Sequence, residues 1–546
     1  MKLLNLRRGT LSILLPFNER FIVNVLSFVK KHDVRILSMI LLCISILNYI
    51  YYYLNGLGLA YNDSRSHLDI GRRVVEGLKP GLAQIGSVWL PLTHLLMVPT
   101  IWNDFMWHTG LSGAVQSMLA FVFTGILIYL FLKNIGVGML GRIVGVLIFV
   151  ANLNILYLQS TAMTELLLIA TMTAGVYELL KWFIKEDIMT IIRSAFWIML
   201  STLIRYDGWF LFLFVIMLIG IQLLRKKGYK VTEGTILMFS TLAGFGIVLW
   251  VLWNLLIFSD PLYFIFGPYS AYAQQDQLNA AGVLQTKGDL FFSMKVYFYA
   301  LAFNSNTYIA LLGAIGAIVF WLDKNITTSI KIAATTLIAP LIFNILALYL
   351  GHSVLFIQGL SGNTWFNVRY GITMMPSIAI FIGYLVQKSN QLKYVLLGTM
   401  MFVLFFSFIS LDAVTIDDAR VGSSQKNVSE VSGWLNKNVK DKKGFILISA
   451  ASHDAIIFSS GLPMSRFIHE GTGLYWESAT LTPDRWARWI VMRTNDNNDQ
   501  SFKLTPKKVV QKKYRLVDHY PFADIYELKP EYLNELNTEP VYKNQK

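Results

Sequence analysis

Two acids stand at the borders of apolar runs, where a membrane-embedded chain has little use for charge. Asp63 follows the first long apolar run, in Tyr61-Asn62-Asp63-Ser64-Arg65-Ser66-His67. Glu165 heads a later run, after Gln159-Ser160-Thr161-Ala162-Met163-Thr164. Ionisable groups at such depth are costly and have a partner or a task. Traced across a bilayer as below, both acids arrive on the same side. Two carboxylates facing one lipid–water boundary suggest proton transfer in a cleft beside lipid. Two cations are predicted at outer helix ends: Arg205 in Ile204-Arg205-Tyr206-Asp207-Gly208-Trp209, and Arg369 in Phe366-Asn367-Val368-Arg369-Tyr370-Gly371.

Each of these residues also has a plainer reading. Asp63 is an N-cap or a solvated loop acid, and each arginine a snorkelling interface anchor. Asp207 is a ready ion-pair partner for Arg205. Glu165 supports a helix N-terminus, or is a second active-site acid that binds an acceptor or a metal. His67 and His94 have the ligand chemistry to hold a divalent cation with Asp63 or Glu165. No His/Cys spacing marks a zinc site, so the metal stays unknown. His453-Asp454 lacks a nucleophile elbow and carries no hydrolase triad.

The elements that must position these groups are membrane helices. Of 546 residues 55% are hydrophobic and 15% charged, and mean hydropathy is +0.51, which describes a polytopic membrane protein. Aromatic residues make up 14%, with many Trp and Tyr near the ends of apolar runs, as interfacial belts require. The net charge of +14 is assigned to cytoplasmic loops and not to nucleic-acid binding. A lone cysteine, Cys43, forms no intramolecular disulfide. Residues 1–35 are basic, broken by Pro16 and without a cleavage-site pattern, which predicts a cytoplasmic lead-in.

Spans are predicted at about 36–54, 113–132, 139–157 and 165–183. A broken pair is predicted within 194–224. Further spans follow at about 235–258, 297–322, 330–350, 369–387 and 392–412. That is about eleven helices, with the N-terminus inside and the C-terminus outside. The first outer loop, 55–112, contains a helix capped by Ser64 or Ser66 and running to about Leu78. Its apolar stripe is His67, Ile70, Val74 and Leu78. It is expected to lie in the membrane plane, with Asp63 just before it and Arg72 and Arg73 at headgroups. After Asp412 the composition turns polar, and 413–546 reads as a small extracytoplasmic α/β domain. Val428, Val431, Trp434 and Leu435 share a helical face. Phe445-Ile446-Leu447-Ile448 is a buried strand. Thr482-Pro483-Asp484 starts a helix. Tyr514–Asp518 and Ala523–Leu528 flank a hairpin turn.

An acid just past the first span, an in-plane helix and the segment Trp89-Leu90-Pro91-Leu92-Thr93-His94 together resemble the GT-C membrane glycosyltransferases. The nearest look-alikes are the dolichyl-phosphate-mannose protein mannosyltransferases and the aminoarabinose transferases acting on lipid A. Their first loop carries an acidic pair followed by His or Arg and an aromatic. Here Asn62-Asp63 with His67 supplies one acid of the two. The resemblance covers about residues 36–412, the transmembrane module, and more loosely the outer domain.

That resemblance implies an inverting transfer of a monosaccharide from a polyprenyl-phosphate donor to an extracytoplasmic glycan, lipid or protein. Asp63 would be the general base, and Arg205 and Arg369 the donor-phosphate clamps. Glu165, His67 and His94 would contact acceptor or metal. Two rivals remain. An oligosaccharyltransferase or glycan ligase shares the layout, but its usual Trp-Trp-Asp-Tyr-Gly segment is replaced by Tyr475-Trp476-Glu477. A lipid or solute transporter would favour internal repeats and matched broken helices; no repeat is visible, and one region looks broken.

Overall fold

Long apolar runs bury their backbone polarity internally by forming helices, and the computed structural model of the chain is predominantly helical. It describes residues 31–267, 270–421 and 425–538; the expected cytoplasmic lead-in therefore falls almost wholly outside the described residues. Among the described residues eight helices are long and apolar enough to cross a membrane, and a bent pair makes a ninth. They include Asp33–Leu54, Leu111–Asn134, Glu165–Lys185, Asp207–Lys226, Tyr229–Phe258 and Thr328–Tyr349. The protein is a polytopic helical membrane protein.

The difference from eleven has local causes. The helix expected over 139–157 stops at Val150. Asn152 breaks it, capping a new short helix, Leu153–Leu158, through Ile155 N at 3.0 Å and donating to the carbonyl of Asn304 at 2.7 Å. The segment Ile188–Thr202, the first half of the expected broken pair, is apolar but short. The helix expected over 297–322 is itself broken. Asn306 takes a left-handed φ of 68° and caps the second piece, so Leu290–Ser305 and Thr307–Leu322 meet at 107°.

Glycines set a close helix contact. Met139–Val150 packs on Val368–Lys388 with Gly141 against Gly383. A Cβ built on Gly141 would lie 2.5 Å from the Gly383 carbonyl oxygen, and one on Gly383 would lie 2.7 Å from that of Gly141. Small residues permit such backbone approach between membrane helices. The start of Val368–Lys388 carries Arg369. Beside it Gly371 faces the Ala300 carbonyl, with 2.6 Å left for any Cβ.

The loop helix runs from Asn62 to Val75. It starts earlier than expected, so Asp63 lies in its first turn and not before it. Neither Ser64 nor Ser66 caps it; Ser64 Oγ accepts from Ala162 N at 3.2 Å instead. Arg72 is also not at a headgroup. It is buried, bonded to the carbonyls of Ile101 (2.8 Å) and Trp102 (2.7 Å), paired with Glu76 and Asp104, and laid over the Trp107 ring. Five donors in a planar fork make Arg suited to such a staple.

Beyond the bundle, five strands form one sheet: β1 (Phe445–Ile448), β2 (Phe467–Ile468), β3 (Ala487–Met492), β4 (Tyr514–His519) and β5 (Asp524–Leu528). The order is β2-β1-β3-β5-β4. β1 is parallel to both neighbours, and β3-β5 and β5-β4 are antiparallel. The expected strand, hairpin and helical face are all present; Val428, Val431 and Leu435 of Gln425–Val439 are buried. The helix started by Pro483 lasts one turn, and Thr482 makes no side-chain cap bond. Leu68 of the loop helix shares a core with this region, and Glu76 accepts from Met464 N at 2.9 Å.

Candidate active site

Arg369 is the centre of the site. Its guanidinium presents three nitrogens, and each faces a different acid. Nε donates to Glu165 Oε1 at 2.9 Å, Nη2 donates to Asp63 Oδ2 at 2.5 Å, and Nη1 lies 3.7 Å from Asp418 Oδ2. The Tyr61 ring lies 4.9 Å from its carbon and that of Tyr370 5.5 Å. Arg205 completes the cluster. It reaches Glu165 Oε1 and Asp207 Oδ2, each at 3.3 Å, and lies over the Tyr370 ring at 4.6 Å. Four acids therefore share two arginines.

Local structure explains each position. Asp63 occupies the first turn of the loop helix and Glu165 the first turn of Glu165–Lys185, where the helix dipole favours negative charge. Arg205 sits in the break between Ile188–Thr202 and Asp207–Lys226. Arg369 lies in the 3-10 turn that opens its helix. Asp418 comes from the short helix Val414–Val421, which follows the last long apolar helix and turns back into the bundle. Its opening Thr415 bonds Asn154 Oδ1 through N (3.0 Å) and Oγ1 (2.8 Å).

Exposure separates the four acids. Glu165 is wholly buried, and its Oε2 has no hydrogen-bond partner among the described residues. The side chains of Asp418 and Asp207 are 3% and 4% exposed. Asp63 is 42% exposed, so it alone can meet an incoming group directly. The Asp63–Arg369 contact is thus the mouth of the cluster, and Glu165 is its floor.

His67 and His94 are drawn together, Nδ1 of one to Nε2 of the other at 2.9 Å, with Trp89 4.2 Å from the His67 ring. Burial, with Arg369 and Arg205 nearby, pushes His67 down to about 3; burial holds His94 well below its ordinary value too. Both imidazoles are neutral at physiological pH. Among the described residues no three His, Cys, Asp or Glu side chains converge as a metal-binding group. The histidines bind each other and the carboxylates bind arginines, so the donor set for the divalent ion considered above is not assembled.

The sequence therefore pointed to Asp63, Glu165, Arg205 and Arg369, which the fold brings into one cluster, and to His67 and His94, which form a neighbouring pair. Asp418 and Tyr61 were missed. Ile416-Asp417-Asp418-Ala419 carries the same signal as Asp63, an acid just past an apolar run. Tyr61 is two residues from Asp63, and its hydroxyl donates to Asp418 Oδ2 at 3.0 Å.

No protein-family model matches the chain, and no curated protein matches it in sequence. Its fold is similar to that of solved structures. The crystal structure of ArnT from Cupriavidus metallidurans bound to undecaprenyl phosphate superposes with a TM-score of 0.53. It shares 8% identity over 89% of this chain and 98% of that one. The apo state of the same protein gives 0.51 at 10% identity, with the same coverage. The apo oligosaccharyltransferase of Archaeoglobus fulgidus gives 0.49 at 10% identity over 85% of this chain and 70% of that one. The ArnT likenesses show the GT-C fold: a helical membrane module followed by a small α/β region.

Proposed function

We propose that this chain is an integral membrane glycosyltransferase. It moves a monosaccharide from a polyprenyl-phosphate donor to an extracytoplasmic glycan, lipid or protein, inverting the anomeric centre. The observation that carries the reading is the half-exposed Asp63 held by the otherwise buried Arg369. A carboxylate at a cleft mouth serves as a base, and a guanidinium behind it serves as a phosphate clamp.

In this reading the donor phosphate takes the Nη2 edge of Arg369 and, with Arg205, is held by charge-assisted hydrogen bonds. Asp63 is displaced from Arg369 and accepts the proton of the acceptor hydroxyl. The acceptor oxygen forms its bond to the anomeric carbon as the bond to the phosphate oxygen breaks. The electron pair leaves with the polyprenyl phosphate, whose added negative charge the two arginines stabilise. Binding of donor thereby frees the base. Glu165 holds both arginines from below, while the partly exposed Trp89, backed by the buried neutral pair His67 and His94, lines the approach for acceptor or sugar. The N-terminus would lie in the cytoplasm, with 36–412 as the catalytic module and 413–546 as the extracytoplasmic domain.

Glycan and lipid profiling of a deletion strain tests the reading. Loss of one sugar residue with accumulation of a lipid-linked monosaccharide is expected. Unchanged glycans with altered solute uptake would overturn it in favour of a transporter, the rival that the break at Asn306 favours.

A further inference from the structure

The mechanism above leaves two buried acids of the cluster unused: Asp207, which pairs with Arg205, and Asp418. Asp418 is 3% exposed, and a carboxylate taken that far from water is retained only where it is well partnered. Its partners are the Tyr61 hydroxyl at 3.0 Å and Arg369 Nη1 at 3.7 Å. It is also rigidly delivered. The chain leaves the lipid-facing helix Lys393–Ser410 at Leu411, whose φ of 52° is left-handed, and re-enters the protein with Ala413, Val414 and Thr415 buried. Thr415 fastens to Asn154, whose amide in turn donates to the Asn304 carbonyl at 3.0 Å. Asp418 is three residues further on, on the same helical face.

We propose that Asp418 is the positioning residue that decides which edge of Arg369 receives the donor phosphate. The inference rests on the function proposed above and deepens it. Arg369 has three donor positions. Glu165 occupies Nε from the buried floor, and Asp418 holds Nη1 while fixing Tyr61 against the guanidinium face. Only Nη2, opposite the half-exposed Asp63, remains open to exchange. A phosphate arriving there displaces the base and no other acid. Without Asp418 the guanidinium is free to rotate about its Nε contact, and the phosphate loses its fixed seat.

Undecaprenyl phosphate titrated into the purified full-length protein in detergent reads this directly. Asp418→Asn should weaken its Kd about tenfold, the equivalent of one charge-assisted contact. Tyr61→Phe, which keeps the ring on Arg369, should weaken it in the same direction, and Asp418→Glu should recover part of the loss. In an Arg369→Gln background Asp418→Asn should add nothing, whereas a merely structural role would add its full effect. Should Asp418→Asn fail to fold, Tyr61→Phe carries the test. Wild-type binding with unchanged affinity in Asp418→Asn, or in Tyr61→Phe where that variant carries the test, overturns the assignment to Asp418 alone. A wild-type protein that does not bind the lipid removes the donor reading and this proposal with it.

Discussion

The two ends of the helix bundle treat charge in opposite ways. In the cluster around Arg369, four acids compete for two arginines, Arg369 buried and Arg205 partly exposed. At the other end of the same helices, four acids share six cations among the described residues. Asp33 meets Lys133 and Arg142, Glu178 meets Lys181 and Arg193, Glu186 meets Lys227, and Asp323 meets Lys388. Glu165 and Glu178 lie on one helix, about 20 Å apart at its rise per residue. Where acids are outnumbered and the cations lead into solvent, the pairs fasten turns and accord with the basic loops. Where acids outnumber cations in a buried cluster, one carboxylate is left with a partner it can exchange. A surplus of proton acceptors around a shared guanidinium is an arrangement for chemistry.

The sharpest way to break this contrast is Asp63→Asn. It should lower sugar transfer by about a thousandfold, as loss of a general base does, with thermal stability and membrane insertion unchanged. Turnover near that of the wild type would remove the base from the mechanism. A smaller effect is expected from pH. His67 is held at about 3 by burial and nearby arginines, against about 6.5 in an unfolded chain. Below about pH 6.5 the unfolded state binds the extra proton, so stability present above that pH is lost as pH falls. One such imidazole contributes about 2 kcal/mol of loss between pH 6.5 and 5. Melting curves should show a steep acid slope, and His67→Gln should flatten it; an equal slope in the variant would contradict the assignment. The smallest effect belongs to the opposite end. Arg193→Ala should cost at most about 1 kcal/mol, shrink further in high salt and leave turnover alone. A large loss of transfer there would erase the distinction between the two ends.

Much of this was readable in the chain. The spans, the loop helix, β1 and the β4-β5 hairpin follow from hydrophobic period and turn residues, and those signals are local. Asp63, Glu165, Arg205 and Arg369 stood out because charge beside an apolar run is expensive wherever it occurs. What escaped depends on distance in sequence. Asp418 meets Tyr61 across 357 positions, and no period records that pairing. The breaks at Asn152 and Asn306 escaped because asparagine in an apolar run looks like a tolerated polar residue until its cap bond is seen. Arg72 was misplaced for a related reason: apart from Glu76 one turn along its own helix, its carbonyl and carboxylate partners Ile101, Trp102 and Asp104 lie about thirty positions away.

The seam of Gly141 and Gly383 leaves the helix that carries Arg369 no slack, since even a methyl group has nowhere to go. On the facing side Arg72 pins the loop helix just as firmly. With both walls clamped, unmasking the base takes only rotation about the two side-chain torsions of one short residue. Such swings take picoseconds to nanoseconds at exposed positions, far quicker than the microseconds to milliseconds of a closing lid. The tempo of a catalytic cycle built this way would be set by bond exchange or by departure of the spent lipid, never by the unveiling of its carboxylate.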